Sequence, residues 1–261
     1  MVDFIFKRSI LHIREMAFGS FSDTACKKCD AVYLHSNDSL DYSREKTFCL
    51  SEKQYTLEND LSIGEEDIWL SFRKTYRNEI RRAEKADNAR VQFFDKTSNE
   101  VERVLAQFEE IYNSMFDAKD MSNRFNRRLV EAGIKCGQVL ISMCESVETH
   151  HKVFHAYLYD KNRTVLMYSA SPLWENDNKE MGNQIGRLNK YLHWMDIKYF
   201  KEIGCDTYEW GGINSVDSPN GIAKFKMGFG GKVNTYYNYT VANSLLGCAY
   251  VCMVKRKKHH V

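Results

Sequence analysis

The chain of 261 residues has only two prolines and no apolar run long enough to cross a membrane. A membrane-spanning helix needs about 20 predominantly apolar residues, so no membrane span is predicted. The opening stretch MVDFIFKRSILHIREM places charged side chains among its apolar ones and lacks the uninterrupted apolar core of a secretory signal. We therefore expect a cytoplasmic protein.

The chain also lacks a strong excess of one charge. Its 37 Lys and Arg residues are nearly balanced by 35 Asp and Glu residues, for a net charge of +2. A protein that attracts nucleic acid over its whole surface usually carries a large positive excess. Any anion-binding site must therefore come from local clustering. The hydrophobic content of 43% is ordinary for a globular protein with a core.

Eight cysteines are present, but the paired spacing of a typical zinc site is incomplete. Cys26 and Cys29 form one C-x-x-C pair, whereas Cys248 and Cys252 have three residues between them and lie within an apolar segment that reads as a strand. A chain of this size without a signal sequence does not need disulfides. We expect the cysteines to be small core side chains and predict no metal site; half of a zinc site at Cys26 and Cys29 is the alternative.

The periodicity of apolar residues predicts alternating strands and helices. Short apolar runs in residues 1–60 predict strands and loops. From Ser62 onward, apolar residues that recur at steps of three and four predict a single helix. The apolar stripe of that helix consists of Trp69, Phe72, Tyr76, Ile80 and Ala83.

The rest of the chain predicts a mixed sheet. After the first helix, we expect a strand, two helices, three strands, a long helix, a strand, a short helical turn and two final strands. The last strand is LGCAYVCMV, and the basic segment KRKKHHV after it is interpreted as a solvated end. Hairpins interrupted by crossover helices indicate an α/β protein whose mixed sheet has helices on both faces.

Glycine is concentrated in one stretch, GGINSVDSPNGIAKFKMGFGGKV at residues 211–233, which holds six of the fourteen glycines. Gly211 and Gly212 follow a strand, where a missing Cβ allows a substrate to approach the backbone closely. A single helical turn would then bury Phe225 and Phe229 and aim Lys226 in another direction, towards a cleft.

This succession of elements resembles the GNAT acyltransferase fold, and three motifs resemble the FemABX peptidyltransferase group. SFRKTYRNEIRRAEKA at 71–86 resembles the basic helix of that group, and IGRLNKYLHWMDIKYFKEIGCDTYEWGGI at 185–213 resembles its long helix and following strand. GIAKFKMGFGGKV at 221–233 resembles its Phe-Lys-x-Gly-Phe-Gly-Gly signature. The resemblance implies a GNAT-like domain at 61–261, with a strand-rich extension at 1–60 packed on it.

The resemblance also implies where the donor binds. In this fold two neighbouring strands splay apart, here TVLMYSAS and DTYEW, and their unpaired backbone groups hold the amide arm of an acyl donor. The start of the long helix would face the phosphates of the donor, although it lacks a good version of the usual acetyl-CoA loop. The residues expected there are Lys179, Gly182, Gln184, Gly186 and Arg187. A polar loop without a ligand is the alternative.

Lys226 matches the family lysine that lies close to the reacting groups, and it would stabilise negative charge on the intermediate; a lysine that only reaches water is the alternative. Glu209 lies where relatives usually place an Asp and is expected to act as the base. Asn189 would orient a substrate. Tyr157 and Tyr168 would line the acceptor pocket, with aromatic packing as the alternative.

The helix at 71–86 carries a basic ridge, because Arg73, Arg77, Arg81 and Lys85 recur at every fourth position. A ridge of guanidinium groups suits the phosphates of a nucleotide-linked acceptor, of CoA or of a tRNA end. With the resemblance, Arg77 and Arg81 are predicted to bind substrate. A solvated face is the alternative.

These features together predict an N-acyltransferase. The donor would be acyl-CoA, an acyl-carrier protein or an aminoacyl-tRNA, with no tightly bound cofactor, and the acceptor would be a small-molecule or nucleotide-linked amine. The resemblance implies an amino sugar or a cell-envelope precursor. The alternatives are an O-acyltransferase and a non-catalytic GNAT-like module that binds RNA or a protein through its basic helix. The sequence does not fix the oligomeric state.

Overall fold

The computed structural model describes residues 1–26, 28–39, 49–173 and 178–259 of the chain. Within these residues ten strands form one continuous mixed sheet. The strands are β1 Val2–Arg8, β2 Leu11–Ala17, β3 Ala31–Ser36, β4 Cys49–Asp60, β5 Ala89–Phe94, β6 Val139–Ser146, β7 Lys152–Tyr159, β8 Arg163–Ala170, β9 Thr207–Ile213 and β10 Lys232–Ala242. The helices are α1 Glu65–Ser71, α2 Lys74–Lys85, α3 Val101–Asp117, α4 Arg127–Lys135, α5 Lys179–Glu202, α6 Gly221–Met227 and α7 Leu245–His259, with a short 3₁₀ helix at Phe21–Thr24.

The strand order across the sheet is β1-β2-β3-β10-β4-β9-β8-β7-β6-β5. The pairs β2–β3 and β8–β9 are parallel, and the other described neighbours are antiparallel. One face is covered by α3, α4 and α7, and the other by α1, α2 and α5. The predicted α/β class, a GNAT-like mixed sheet with helices on both faces, is confirmed. No helix in the described part of the chain is long and apolar enough to cross a membrane.

The two parallel strands β8 and β9 separate soon after they meet. They pair over only three residues each, 163–165 with 207–209, although both strands continue further. Gly211 lies where they part and has a φ of 65°. A Cβ there would lie 2.7 Å from the carbonyl oxygen of Leu166, so a side chain would clash with the neighbouring strand. The expected splay of the central sheet is therefore confirmed.

The prediction of a single helix from Ser62 to Ala83 is wrong. The chain forms two helices, because the backbone is extended at Phe72 and Arg73. The amide of Arg73 donates to the carbonyl oxygen of Gly228, at 2.9 Å, and so leaves the helical pattern. The break inserts the buried Phe72 ring between Trp194 and Phe229. Tertiary packing thus overrides the local helical preference.

The prediction that LGCAYVCMV forms a final strand is also wrong. This segment, which contains Cys248 and Cys252, lies in helix α7. The hydroxyl of Ser244 accepts from the amide of Gly247, and the carbonyl oxygen of Ser244 accepts from the amide of Cys248. These contacts begin the helix. A short apolar run does not distinguish a buried strand from a helix. Residues 260 and 261 of the basic segment lie outside the described residues.

The strands of residues 1–60 belong to the same sheet as the rest of the chain. β4 lies between β10 and β9, so the segment reaches the middle of the sheet. The division into an extension at 1–60 and a domain at 61–261 stays a prediction.

A buried polar contact fixes the turn that follows α6. The indole nitrogen of Trp210 donates to Asn59 Oδ1 at 2.6 Å, and Asn59 Nδ2 donates to the carbonyl oxygen of Phe229 at 3.0 Å. The Phe229 ring is fully buried, whereas Phe225 is partly buried. Gly228 is required because a Cβ there would lie 2.1 Å from the ring of Tyr76. The aromatic anchors therefore set the position of α6 and of its lysine.

Candidate active site

A cavity of about 570 Å³ opens at the point where β8 and β9 separate. It is lined by the end of β8, one face of α5, the helix α6 and the end of α3 together with the segment after it. The lining residues used below are Met115, Phe116, Met121, Asn189, His193, Ile222 and Lys226. Cavities of this size suit a small-molecule substrate.

Lys226 projects into this cavity from α6. Its ammonium group donates to the carbonyl oxygens of Gly212 at 2.8 Å and of Gly211 at 3.4 Å. Burial lowers the pKa of Lys226 from its ordinary 10.5 to about 8, and the charge of Glu209 opposes that shift. The ammonium is thus held by the backbone of β9 at the mouth of the gap between the strands.

Glu209 lies in β9, is fully buried and has both carboxylate oxygens occupied. Its Oε1 lies 2.9 Å from Nε2 of His35, and its Oε2 accepts from Arg163 at 3.3 Å. Burial alone would raise the pKa of Glu209, but His35 and Arg163 outweigh it and hold the pKa below its usual value. With these contacts, the carboxylate of Glu209 is better suited to stay ionised than to take up a proton.

A second titratable group, His193 on α5, lines the cavity. Its Nδ1 lies 2.9 Å from the hydroxyl of Tyr208, whose oxygen is 2.6 Å from the hydroxyl of Tyr157. Tyr157 in turn donates to Asp196 Oδ2 at 2.6 Å. The buried side chains thus form a chain of hydrogen bonds that runs from the carboxylate of Asp196 to the cavity.

The direction of this chain fixes the tautomer of His193. Tyr157 has one hydroxyl proton and gives it to Asp196, so its oxygen must accept from Tyr208. Tyr208 has then used its own proton, so its oxygen must accept from Nδ1–H of His193. The other nitrogen, Nε2, therefore carries the lone pair. It has no hydrogen-bond partner in the described part of the chain, and it lies on the side of the ring away from Tyr208.

His193 also stays uncharged. Burial lowers the pKa of His193 well below its ordinary 6.5, and the positive charges of His155, Lys226 and Lys190 lower it further. A neutral imidazole whose Nε2 carries a lone pair can accept a hydrogen bond from a group in the cavity. The cavity therefore holds an ammonium group and an uncharged base.

His155, His193 and Asp196 have the side-chain types of a metal site. Their candidate ligand atoms lie within 4.8 Å of one another. Nδ1 of His155 lies 2.7 Å from Asp196 Oδ2, which is closer than the roughly 3.4 Å between two ligands of a tetrahedral zinc ion at about 2.1 Å. Both Nδ1 atoms and Asp196 Oδ2 already make hydrogen bonds. The geometry fits a hydrogen-bond network better than a metal site.

The outer wall of the cavity is apolar. Met115, Phe116 and Met121 come from the end of α3 and the segment after it, and Ile222 comes from the start of α6. Ile222 is 62% exposed and Met121 is 45% exposed, so both present apolar surface to solvent at the edge of the cavity. The polar lining groups are Asn189 and His193 on α5, Lys226 on α6, Ser169 and Ser171 at the end of β8, and Lys119 and Asn123 after α3. The cavity therefore combines polar groups with an apolar wall.

The structure brings Asn189 to the cavity but not the two tyrosines. Asn189 Oδ1 lies 2.9 Å from Nε2 of His155, which is fully buried. Tyr157 is fully buried within the hydrogen-bond chain, below the cavity rather than on its surface. Tyr168 packs against the rings of Tyr112 and Phe125. The alternative of aromatic packing fits Tyr168.

The residues expected near donor phosphates divide between two sides of α5. Arg187 forms a buried two-bond ion pair with Asp87, at 2.7 and 2.8 Å. Gln184 is buried and bonds Thr149. Neither lines the cavity. Gly182 and Gly186 share the helix face of Asn189 and His193 by their spacing, and Lys179 lies at the start of α5.

The basic helix α2 lies beside a different cleft. The guanidinium of Arg81 lies 5.2 Å from the ring centre of Trp69, in a cavity of about 500 Å³ that also contains Trp194 and Glu84. Arg77 is partly buried on the same helix. Neither arginine lines the cavity of Lys226.

Sequence reasoning missed His193. Its signal was its position four residues after Asn189, which places both side chains on one face of α5. The apolar wall was missed as well, because Met115 and Phe116 read as part of the buried stripe of α3.

Comparisons with known proteins bear on the family and the fold of the chain. A family model described as an acetyltransferase (GNAT) domain matches residues 71–227. The comparison with curated proteins finds no match.

Among solved structures, the chain is similar to one described as FemX, with 12% identity, a TM-score of 0.58, and coverage of 93% of this chain and 84% of that one. It is also similar to the C-terminal domain of a putative lysylphosphatidylglycerol synthetase from Agrobacterium fabrum, with 11% identity, a TM-score of 0.53, and coverage of 96% and 83%. L-PGS from Bacillus licheniformis gives 12% identity, a TM-score of 0.50, and coverage of 97% and 84%. At such identities the likeness shows the fold alone.

Proposed function

Because the chain belongs to the acetyltransferase (GNAT) domain family, we propose that it is an N-acyltransferase that uses the cavity between β8 and β9. The observation that carries the proposal is the position of Lys226. Its ammonium lies at the gap between the separating strands, where the backbone of β8 lacks a partner in β9. Unpaired backbone groups at such a gap suit the amide arm of an acyl donor.

The two titratable groups have separate roles in the proposed reaction. The neutral amine of the acceptor attacks the donor carbonyl carbon, and the carbonyl electron pair moves onto oxygen, where the ammonium of Lys226 stabilises it. Nε2 of His193 takes the proton from the attacking nitrogen. The bond from the carbonyl carbon to the sulfur or oxygen of the carrier then breaks, and the departing atom receives that proton. A carbon–nitrogen bond has replaced a thioester or ester bond.

Glu209 acts in this scheme as a positioning residue. Its fixed negative charge raises the pKa of Lys226 against the effect of burial, and so keeps the ammonium protonated. Asn189 accompanies His193 on the same helix face and lies beside the attacking group. These roles are inferred from the contacts of Glu209 with Lys226 and of Asn189 with the cavity. Proton transfer is then assigned to His193 and not to Glu209.

The donor is an activated acyl or aminoacyl group on CoA, on an acyl-carrier protein or on tRNA. All three present a carbonyl next to a phosphate-rich handle. The acceptor is an amine of an amino sugar or of a cell-envelope precursor, which the resemblance of the three motifs to the FemABX group supports. The apolar wall of the cavity favours an acyl group with an apolar side chain over acetyl, because a larger group would bury Met115, Phe116 and Ile222.

The proposal is tested by turnover of the full chain with a panel of acyl-CoA, acyl-carrier and charged-tRNA donors against amine acceptors, with mass spectrometry of the products. Lys226→Met should lower the turnover number by about a hundredfold or more. Lys224→Met removes an exposed lysine two residues earlier on the same helix and is the matched control. Equal turnover by Lys226→Met and the wild-type protein would refute the role of Lys226. A product acylated on oxygen would move the assignment to an O-acyltransferase.

The basic face of α2 supports a second candidate, a module that binds RNA or a protein. Arg81 is exposed and lies in a cleft separate from the cavity of Lys226. If the chain is such a module, Arg77→Gln/Arg81→Gln should retain less RNA and Lys226→Met should retain as much as the wild type. The protein should then turn over no donor. Turnover with any donor would favour the first candidate.

A further inference from the structure

Helix α7 is fixed to the sheet by its inner face. Val251 is fully buried, and the hydroxyl of Tyr250 contacts Tyr33 and accepts from Arg8 at 3.1 Å. Gly247 lies so close to the carbonyl oxygen of Asp30 that a Cβ would come within 1.8 Å of it. The helix is therefore held in one orientation, and its outer face is displayed without any further ordering of the chain.

That outer face is apolar. Leu245 is 90% exposed, Leu246 is 51% exposed and Met253 is 47% exposed. Ala249 and Cys252 are exposed between them, at the helical spacing that joins all five into one stripe. The solvent side of a helix in a globular protein usually carries polar or charged residues. A continuous apolar stripe there marks a contact surface.

The charge of α7 selects the partner. The sequence of α7, LLGCAYVCMVKRKKH, contains no acidic residue and places four basic residues, at 255–258, directly after the stripe. An exposed apolar face next to a basic cluster suits contact with an anionic membrane surface. With 15 residues the helix is about 22 Å long, which is too short to cross the roughly 30 Å hydrocarbon layer.

We infer that α7 docks the protein on an anionic lipid surface, with the helix axis in the membrane plane. Leu245, Leu246 and Met253 enter the boundary between headgroups and acyl chains, while Lys255 and Arg256 lie at the level of the lipid phosphates. A second copy of the chain fits this surface less well. A contact between two α7 helices would cover the stripes, but neither helix offers a negative charge to the basic cluster of the other.

The test is flotation of the full chain with vesicles of phosphatidylcholine alone or with 30% phosphatidylglycerol, at low and high salt. Wild-type protein should float with the anionic vesicles at low salt and much less at high salt. Leu245→Gln/Leu246→Gln should lower the partition coefficient by about tenfold or more. Lys255→Gln/Arg256→Gln should lower it by on the order of tenfold and weaken the salt dependence, because two of the four basic residues are removed.

The matched control is Ile63→Gln/Ile203→Gln, which replaces two other exposed aliphatic side chains, 41% and 44% exposed, before α1 and at the end of α5, on the sheet face opposite α7. It should float as the wild-type protein does. Circular dichroism and thermal unfolding check that each variant is folded. Absence of wild-type binding at low salt, or equal loss in the control and the leucine variant, would overturn the inference. So would a dimer in sedimentation velocity that the leucine variant dissociates while vesicle binding is absent, because the partner would then be a second copy.

Discussion

The substitution Lys226→Met separates what the lysine does for function from what it does to stability. Methionine has a similar length and no charge, so it fills the same space beside Phe225 without the ammonium. The wild-type lysine has a pKa of about 8 in the folded protein and an ordinary value of 10.5. A difference of 2.5 units corresponds to about 3 kcal/mol, since one unit is about 1.4 kcal/mol.

The sign of the pH dependence follows from proton binding. Between pH 8 and 10.5 the unfolded chain keeps the Lys226 proton, whereas the folded protein has lost it. Stability therefore rises with pH across this window. Below pH 8 both states are protonated and the burial penalty is fully present. The free energy of unfolding of the wild type, minus that of Lys226→Met, should thus increase by up to about 3 kcal/mol from pH 7.5 to 10.5.

At pH 7 two effects of the substitution oppose each other. Removal of the buried charge relieves a penalty of about 3 kcal/mol. The carbonyl oxygens of Gly211 and Gly212 lose their donor, at a cost of about 1–3 kcal/mol for a buried acceptor. We therefore expect Lys226→Met to be as stable as the wild type or slightly more stable at pH 7, although it has lost activity.

The measurement is urea unfolding of wild type, Lys226→Met and the control Lys224→Met at half-unit steps from pH 7 to 10.5. Other groups that titrate in this range cancel in the difference between wild type and Lys226→Met. A difference that stays flat, or that falls as pH rises, would refute the reasoning. Lys226 would then titrate as a solvated lysine, and the cavity would not impose the desolvation on which its proposed role depends.

Four further predictions concern neighbouring residues. His193→Gln should lower kcat by a factor of about 10²–10⁴, and Tyr208→Phe should lower it about tenfold. The double variant should lose no more activity than His193→Gln alone, because Tyr208 acts through His193. Additive losses in a double-mutant cycle would contradict this. Glu209→Gln should lower the pKa of Lys226 and move the alkaline limb of the pH–rate profile to lower pH; a loss of activity equal at every pH would instead identify Glu209 as the base. Ile222→Ser should reduce kcat/KM for an octanoyl donor about tenfold relative to acetyl, and an unchanged ratio would remove Ile222 from the acyl site. Arg187→Met should destabilise the fold by about 3–5 kcal/mol with an unchanged Kd for the donor in the folded protein; weaker donor binding would support a phosphate site.

Much of the site's framework was predictable, because local patterns set it. Phe225 and Phe229 lie one helical turn apart, so an anchored turn with Lys226 on another side follows from the sequence alone. The anchored turn depends on residues within a few positions of one another. Gly211 was expected to let a substrate approach the backbone, whereas the structure shows a close approach to the carbonyl oxygen of Leu166 in the neighbouring strand.

The unpredicted parts depend on contacts between distant segments. Glu209 is held by His35, from a part of the chain that the family resemblance does not cover, and by Arg163 of the neighbouring strand. No residue near Glu209 in the sequence indicates that His35 or Arg163 is its partner. The break between α1 and α2 likewise arises because Arg73 donates to Gly228, more than 150 residues later. Periodicity reports which face of an element is buried, but not which other element covers it.

The same feature of the site, burial at the gap between β8 and β9, acts in opposite ways on the two groups that the reaction needs. Burial lowers the pKa of both Lys226 and His193, yet the consequences differ because their ordinary values differ by about 4 units. Lys226 falls to about 8 and remains mostly protonated at pH 7, whereas His193 becomes fully neutral. The charge on Lys226 lowers the pKa of His193 further, and Glu209 prevents Lys226 from losing its own proton. Lys226 thus provides a fixed positive charge and His193 a proton acceptor, which are the two groups that the proposed amine acylation needs.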